Sequence, residues 1–348
     1  MKILITGNMG YIGPVVTKHL RSICPDAELV GLDTGYFGNC INASDVLPEC
    51  RLDVQYHADI RNVPEYMLQG VDAIVHLAGI SNDPIGNQFE EVTMEINHKA
   101  SVRLAHQALK AGVGSFVFAS SCSMYGAAED EARTERSPLN PLTAYARSKV
   151  YTERDLEPLA HEGFKVTCLR FSTACGISDR LRLDLVLNDF VAAAVASKKI
   201  LILSDGSPWR PLINVKDMAR AIEWGITRHV KSGGAFLAAN IGSNDWNYQV
   251  RDLAVAVADA IPGTEITINK DAQPDKRSYR VNFDLFKSLA PNHQPAVSLV
   301  ETINELKAGL EAINFSDSNF HNSRFIRLKV LSDLRAKGLL NDQLQWQR

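Results

Sequence analysis

Apolar and polar positions follow two different periods along the first half of the chain. Lys2 to Thr6 is a short apolar, β-rich run that ends at once in Gly7-Asn8-Met9-Gly10-Tyr11-Ile12-Gly13. The period then lengthens to that of a helix, with Val15, Val16, His19 and Leu20 on one side. Glu28 to Leu32 predicts a second strand, ending at Asp33. Leu52 to Ala58 alternates in part and predicts a third, followed by Asp59-Ile60 and a short helix over Pro64 to Leu68. Ala73 to Gly79 is a continuous apolar run with small residues at its C-terminal end, as a buried parallel strand has. A helical stretch over about Phe89 to Ala111 leads to a fifth strand at Ser115 to Ala119, which runs into Ser120, Ser121 and Ser123. Repeated strand and helix alternation predicts an α/β, doubly wound parallel sheet, whose ligands lie at the C-terminal ends of the strands. Gly10, Asp33, Gly79, Ser121 and Tyr145 all fall on that edge.

The pattern changes beyond a sixth strand at Lys165 to Arg170. A helix is predicted at about Leu185 to Ala196, a strand at Ile200 to Leu203, and then the strand-like Trp209 to Val215. A helix at Lys216 to Thr227, a strand at Ala235 to Ile241 and a helix at Val250 to Ala260 follow. In the tail, Leu328, Leu331 and Leu334 recur at helical spacing, and Gly338 is placed to cap the helix. No repeat or low-complexity stretch interrupts the chain.

Composition narrows the function classes. The 348 residues suffice for about two domains. Net charge is -3 with no basic block or stripe, which argues against nucleic acid as a partner. Cys24, Cys40, Cys50, Cys122, Cys168 and Cys175 form no CxxC pair, and the nine histidines form no ligand cluster, so no metal site is expected. Such cysteines read as reduced thiols of a cytosolic protein. The first apolar run ends at Gly7, too short for a signal peptide, and no later run reaches membrane-spanning length. A soluble, cytoplasmic protein is expected.

Two stretches carry candidate chemistry. Strand, glycine-rich turn and helix in that order make a phosphate site, because the glycines allow close backbone approach and the helix N-terminus offers unpaired N–H groups. The spacing is GxxGxxG, and a glycine triplet alone is weak support. Asp33, twenty residues after Gly13, stands where a carboxylate accepts the ribose hydroxyls of a dinucleotide. It would repel a 2′-phosphate, and Thr34 to Asn39 contain no Arg or Lys, so NAD is expected rather than NADP. The second stretch is Tyr145-Ala-Arg-Ser-Lys149. Four residues are just over one helical turn, so phenol and ammonium leave the same face. A cation beside a phenol favours the phenolate, which can then act as a base. A YxxxK pair by itself is more often a half-buried Tyr beside a solvated Lys. Ser121 and Ser123 at a strand end upstream tip the balance. His76 alone reads as a satisfied core histidine.

Together GNMGYIG, Asp33, Asp59-Ile60, HLAG at 76 to 79, Asn97, SSCSMYG at 120 to 126 and YARSK at 145 to 149 resemble the extended short-chain dehydrogenases/reductases that act on nucleotide sugars. The likeness continues through Leu169-Arg170-Phe171, Asp205 to Val215 and Asp275 to Val281. It implies a Rossmann domain over 1–180, with returning segments at about 205–243, and a smaller C-terminal α/β domain over most of 181–348. It implies NAD held by Gly7, Gly10, Tyr11, Ile12, Gly13, Asp33, Asp59, Ile60, Leu77, Ala78, Gly79 and Asn97, and by Tyr145 and Lys149. Ser121, Tyr145 and Lys149 would be catalytic. Asn82, Ser123, Thr173, Asn188, Arg210 and Arg277 would contact the nucleotide-sugar substrate, the arginines through its diphosphate. A homodimer through the helices at about 89 to 111 and 143 to 161 is implied as well.

The residues after Ser121 separate the branches of such a family. Relatives that dehydrate the sugar carry Asp-Glu after this serine or threonine, and decarboxylating relatives carry a Glu where Ser123 stands. Here the positions hold Cys122 and Ser123. Relatives that epimerise and reduce use a Cys two residues before the Tyr, whereas Cys122 is three before Tyr125. Thr173 replaces a common Asn, and Gly79 a common Ala. A C4 epimerase working through a 4-keto sugar is therefore expected, with a 4-ketoreductase and a non-catalytic NAD-binding regulator as the alternatives.

Overall fold

Seven parallel strands form the central sheet of the computed structural model, which describes residues 1–42, 46–81, 83–127, 131–269 and 278–347. In chain order the strands of the molecule are β1 (Lys2–Thr6), β2 (Glu28–Asp33), β3 (Val54–His57), β4 (Ala73–His76), β5 (Ser115–Ser121), β6 (Lys165–Phe171), β7 (Thr173–Cys175), β8 (Lys199–Ile202), β9 (Trp209–Asn214), β10 (Phe236–Ile241), β11 (Asn247–Gln249) and β12 (Glu265–Ile268). The sheet runs β3-β2-β1-β4-β5-β6-β10. Strand order reverses direction between β1 and β4, so the connections leaving these two strands part and open a crevice above their C-terminal ends. β4 and β6 are buried along their whole length; this accounts for the apolar run of β4, while β6 buries Lys165, Thr167 and Arg170 among its apolar residues.

The helices are α1 (Gly13–Ile23), α2 (Asp83–Gln88), α3 (Glu90–Met94), α4 (Ser101–Lys110), α5 (Ala144–Leu156), α6 (Val186–Ser197), α7 (Val215–Thr227), α8 (Val250–Ala260), α9 (Asp284–Leu289), α10 (Leu299–Ala312) and α11 (Arg327–Ala336). One face of the sheet packs Val16 and Leu20 of α1 with Ile222 of α7. The other packs Leu104 of α4 and Leu156 of α5, and the tail returns to it through Leu331, Leu340 and Leu344. A third core joins α6, α8 and α10 with β8, whose partner is β12. β7 and β9 run parallel, with β11 antiparallel on the far side of β9.

One sequence expectation is refined and another changes. The stretch at 89 to 111 is helical as expected, with α3 and α4 joined by a π-helical turn, Glu95–Ala100. That turn widens the ladder around Asn97, whose carbonyl accepts from Ser101 Oγ at 2.7 Å and Thr152 Oγ1 at 3.0 Å. In place of a helix over Pro64 to Leu68 there are two 3₁₀ turns, Ile60–Asn62 and Glu65–Leu68. Asp59 caps the first by accepting from the Arg61 amide at 2.9 Å. Gly338, at φ +69°, follows α11 as the C-cap pattern predicted.

Leu331 is fully buried between α11 and the sheet core. Leu331→Ala is expected to lower the free energy of unfolding in urea by about 2–5 kcal/mol, the usual range for a buried leucine. A loss below about 1 kcal/mol would mean that the tail helix is not packed as described.

Candidate active site

A cavity of about 820 Å³ lies over the C-terminal edge of the central sheet. Its floor begins with the turn after β1. Gly7 has φ +74°, and a Cβ there would stand 2.5 Å from Ala78 N; a Cβ on Gly13 would stand 2.2 Å from the Asn8 carbonyl oxygen. Only glycine lets the turn lie against both β4 and its own start. α1 begins directly after it, with no side-chain cap on its first amides and Pro14 at its start. Pro14 has no N–H, and Val15 and Val16 both donate to the Ile12 carbonyl at 3.1 Å, so the amides left for an anion are those of the glycine turn before them. Asp33 lies beside this cradle, its Oδ2 accepting from Met9 N at 3.0 Å and its Oδ1 from Gly35 N at 2.7 Å. Burial raises its pKa, and the two amide bonds offset part of that rise. A carboxyl fixed in this way, with lone pairs toward the cavity, fits the ribose of NAD.

Gly7, Gly10, Tyr11, Ile12, Asp33, Asp59, Ile60, Leu77, Ala78 and Gly79 all stand on the cavity wall. Two of them do so with their side chains engaged elsewhere. The Asp59 carboxylate is held by the Arg61 guanidinium, with Nη2 to Oδ2 at 2.5 Å. The Tyr11 hydroxyl donates to the Gly176 carbonyl at 2.5 Å, and burial pushes its pKa up. Two expected contacts are not on the wall at all. Gly13 is inside the turn, and Asn97 is buried behind Gly79, where it accepts from Ile80 N at 2.7 Å and donates to the Ile80 carbonyl at 2.8 Å. Asn97 therefore shapes the loop after β4 from behind.

Ser121, Ser123, Tyr145 and Lys149 meet on the same wall. Ser121 ends β5 and caps the turn Cys122–Tyr125, accepting from Ser123 N at 3.2 Å while its hydroxyl donates to Ser123 Oγ at 3.0 Å. Thr143 caps α5, accepting from Ala146 N at 3.1 Å, which fixes the start of the helix that carries Tyr145 and Lys149. Lys149 Nζ donates to the Ala119 carbonyl at 2.7 Å, stands 5.6 Å from the Tyr145 ring centre, and lies 4.6 Å from that of Phe118. Burial pulls its pKa down to about 8. The Tyr145 phenol and the Lys149 ammonium thus lie together on α5 as their spacing predicted, and Ser121 lines the same cavity.

Behind them is a group that sequence reasoning did not single out. Glu153, one turn after Lys149 on α5, is buried and accepts Ser120 Oγ at 2.5 Å, Arg170 Nη2 at 2.6 Å and Arg170 Nε at 3.0 Å. Arg170 Nη1 donates to the Tyr125 hydroxyl at 3.1 Å, and that hydroxyl donates to Asn240 Oδ1 at 2.7 Å. The neighbouring carboxylate raises the guanidinium pKa against the opposing effect of burial. Cys122 is fully buried with Sγ 3.0 Å from the Arg170 carbonyl, and burial pushes its thiol pKa up. His76 is satisfied, with Thr6 Oγ1 at 2.6 Å and Ser101 Oγ at 2.7 Å, and burial lowers its pKa to about 3.

The substrate-side expectations divide three ways. Thr173 on β7 and Arg210 on β9 line the cavity. Asn188 does not, because it is buried with Oδ1 accepting from Gly176 N at 3.0 Å and Nδ2 donating to the Tyr11 hydroxyl and the Arg182 carbonyl, both at 2.9 Å. Every hydrogen-bonding group of its amide except spare lone pairs is used inside the protein, so it braces the wall instead of touching a ligand. Asn82 and Arg277 lie outside the described residues. The wall also includes Arg182, Asp184, Asp189, Tyr279, His321 and Arg327, which the motifs did not point to. Asp189 and His321 pair at 3.0 Å across α6 and the tail.

The lowered pKa of Lys149 makes a test. Its folded pKa lies below the ordinary 10.5, so between about pH 8 and 10.5 the unfolded chain binds more protons than the folded one, and stability rises with pH. Compared with Lys149→Met, the wild type without ligand should gain up to about 3 kcal/mol of unfolding free energy from pH 7 to pH 10.5. Urea unfolding of both proteins across that window measures it. A pH-independent difference would mean that the ammonium is not desolvated.

Comparison with known proteins agrees with this geometry. The profile of the family described as "NAD dependent epimerase/dehydratase family" matches residues 3–242. The protein called Uncharacterized UDP-glucose epimerase YtcB, of Bacillus subtilis, is 28% identical over 64% of this chain and 71% of its own. A dTDP-glucose 4,6-dehydratase of Streptomyces griseus is 30% identical over 69% and 73%. Among solved structures, MoeE5 in complex with UDP-glucuronic acid and NAD superposes with a TM-score of 0.76 at 23% identity, covering 90% of this chain and 99% of that one. UDP-glucose 4-epimerase of Thermotoga maritima with UDP-glucose gives 0.76 at 24%, again over 90% and 99%. The matched profile spans the glycine turn, Asp33 and the Ser121, Tyr145 and Lys149 constellation, and the chain belongs to the NAD-dependent epimerase/dehydratase family, with NAD as its cofactor.

Proposed function

We propose that this protein interconverts nucleotide-activated sugars that differ at C4, through a transient 4-keto sugar. The observation that carries the reading is the combination of Ser121, Tyr145 and Lys149 on one wall with no carboxyl at the two positions after Ser121. Cys122 fills the first and is turned into the core; Ser123 fills the second. Neither supplies the acid pair that removal of water from a keto sugar needs.

NAD, when bound, supplies a ring that takes a hydride from carbon and gives it back. The rest falls to the chain. Tyr145 takes the proton of the C4 hydroxyl as the C–H hydride leaves, so the carbon is oxidised to a ketone and the phenol holds the proton. Ser121 donates to the oxygen throughout, strengthening as charge develops there. Lys149 keeps a positive charge beside the phenol, which favours the phenolate. If the ketone turns its other face before the hydride returns, Tyr145 gives the proton back and the C4 configuration is inverted. Arg210 and Thr173 on the substrate side would hold the nucleotide diphosphate and the sugar.

A homodimer through the α3–α4 segment and α5 belongs to the same reading. It is supported by the family resemblance more than by apolar surface, since Leu104 and Leu109 pack into the sheet core. A monomer by light scattering removes that part.

The experiment is to measure NAD absorbance in the purified protein and then offer a panel of UDP- and dTDP-sugars without added cofactor. Interconversion of C4 epimers is expected. Consumption of added NADH by a keto sugar, with no interconversion, would make the protein a reductase, as is a relative from Streptomyces bikiniensis named dTDP-4-dehydro-6-deoxy-D-allose reductase. Tyr145→Phe should lose about two to four powers of ten in turnover, the usual range for a lost general base, with NAD still bound. Ser121→Ala should lose less. Wild-type turnover should fall on the acid side as Tyr145 takes up its proton, and Lys149→Met should move that fall to higher pH. Full activity in Tyr145→Phe sinks the catalytic assignment.

A further inference from the structure

Among the described residues three guanidiniums stand on the cavity wall, and they are not equivalent. Arg182 is committed: Nε meets Asp184 Oδ1 at 2.6 Å and Nη1 donates to Ser81 Oγ at 2.9 Å. Arg210 donates from Nη1 to the Trp209 carbonyl at 2.9 Å and has further contacts. Arg327, at the start of α11, is 1% exposed. Its Nη2 donates to the Arg180 carbonyl at 3.0 Å, but its Nη1 has no hydrogen-bond partner, and it forms no ion pair among the described residues. The nearby Glu49 is taken by Arg180 and Asp184 by Arg182. A buried cation without a counter-charge is costly, and one on a binding wall invites an anion.

Position says which anion. The Arg327 guanidinium lies 4.7 Å from the ring centre of Phe37, four residues past Asp33, and shares the wall with Gly10, Tyr11 and Ile12. This is the adenosine and diphosphate end of the cofactor cradle. The rest of the tail grips the same end. Gln343 accepts from Arg61 Nη1 at 2.6 Å, Trp346 Nε1 donates to the Thr34 carbonyl at 2.7 Å, and the Tyr36 hydroxyl donates to the Leu344 carbonyl. We propose that Arg327 is a diphosphate-binding residue for NAD, delivered by a C-terminal segment that closes the adenosine end of the site. Its planar fork suits phosphate oxygens. The inference rests on NAD as cofactor and is independent of the epimerase reading.

The test compares ligands with and without phosphate on the full chain stripped of nucleotide. Isothermal titration of NAD⁺, ADP-ribose and adenosine into Arg327→Met should show the first two weakened about ten- to a hundredfold, with adenosine within about twofold of wild type. Thermal unfolding without ligand should not move down, because an unpaired buried cation has been removed. Unchanged affinity for NAD⁺ and ADP-ribose overturns the proposal, as does an equal loss for adenosine, which would make Arg327 a packing residue. If Arg327→Met does not fold, Arg327→Lys decides by the same comparison: a loss confined to the two phosphate-bearing ligands supports the role, and an equal loss or none overturns it.

Discussion

The buried pair of Glu153 and Arg170 is the constraint on which the wall of Ser121, Tyr145 and Lys149 depends. It joins α5 to β6, and through Ser120 it also holds the last residues of β5. Ser121 stands next to Ser120, and Lys149 one turn before Glu153, so the pair sets the distance between the strand that offers the serine and the helix that offers the phenol and ammonium. Register strengthens the tie, because Ser120 and Arg170 are opposite each other on neighbouring strands. Removing one partner of such a pair typically costs about 3–5 kcal/mol, since the other is left buried and charged. An apolar pair of the same volume could hold the elements together as firmly. What it would lack is direction: five donors in a plane and a carboxylate fork fix angles as well as distance.

The cofactor side is fixed by a different device serving the same end. The π turn frees the Asn97 carbonyl to receive Ser101 and Thr152, and the Asn97 side chain holds the loop after β4 while donating to Ser148 Oγ at 3.2 Å. Ser148 precedes Lys149. One buried amide thus connects the floor of the dinucleotide cradle to the helix bearing Lys149. Asn188 does the equivalent work on the far wall, joining Tyr11, Gly176 and Arg182. Neither amide is on the cavity wall, although the motifs suggested that both would meet ligand.

These residues show how far the sequence could be read. Strands β1, β2, β4 and β5 were legible from their apolar runs, as a strand buried on both faces requires, whereas β3 alternates only in part and β6 buries Lys165, Thr167 and Arg170. Asp33 and the Tyr145 and Lys149 pair were legible because their spacing is set by one local element each. The π turn was hidden because its residues, Glu95 to Ala100, keep ordinary helical composition, and only partners far along the chain show which carbonyl is diverted. α10 was missed although Ser298 and Glu301 form a capping box, a local signal strong enough to have been used. Glu153 had a cue as well, lying at i+4 from Lys149, but its partner Arg170 is on another strand. Arg327 had none, since what distinguishes it is an unpartnered Nη1 and the lack of an ion pair among the described residues of the folded protein.

That last contrast bears on how the site divides its work. Charges that are paired inside the protein, Glu153 with Arg170 and Asp59 with Arg61, are structural, because a ligand could recruit them only by breaking a bond already made. Two charges differ from these: Lys149, whose ammonium is held by a carbonyl and whose pKa burial pulls down to about 8, and Arg327, whose buried Nη1 has no hydrogen-bond partner among the described residues. One stands beside the Tyr145 phenol; the other stands at the far end of the cavity, where the diphosphate is proposed to lie. A dinucleotide long enough to span the cavity would meet both, and its own charge would complete the one while its ring faced the other. Cofactor binding and catalytic electrostatics are then two parts of one balance of charge. The C-terminal segment enters that balance directly, because without it the adenosine end of the cavity would lose its buried cation.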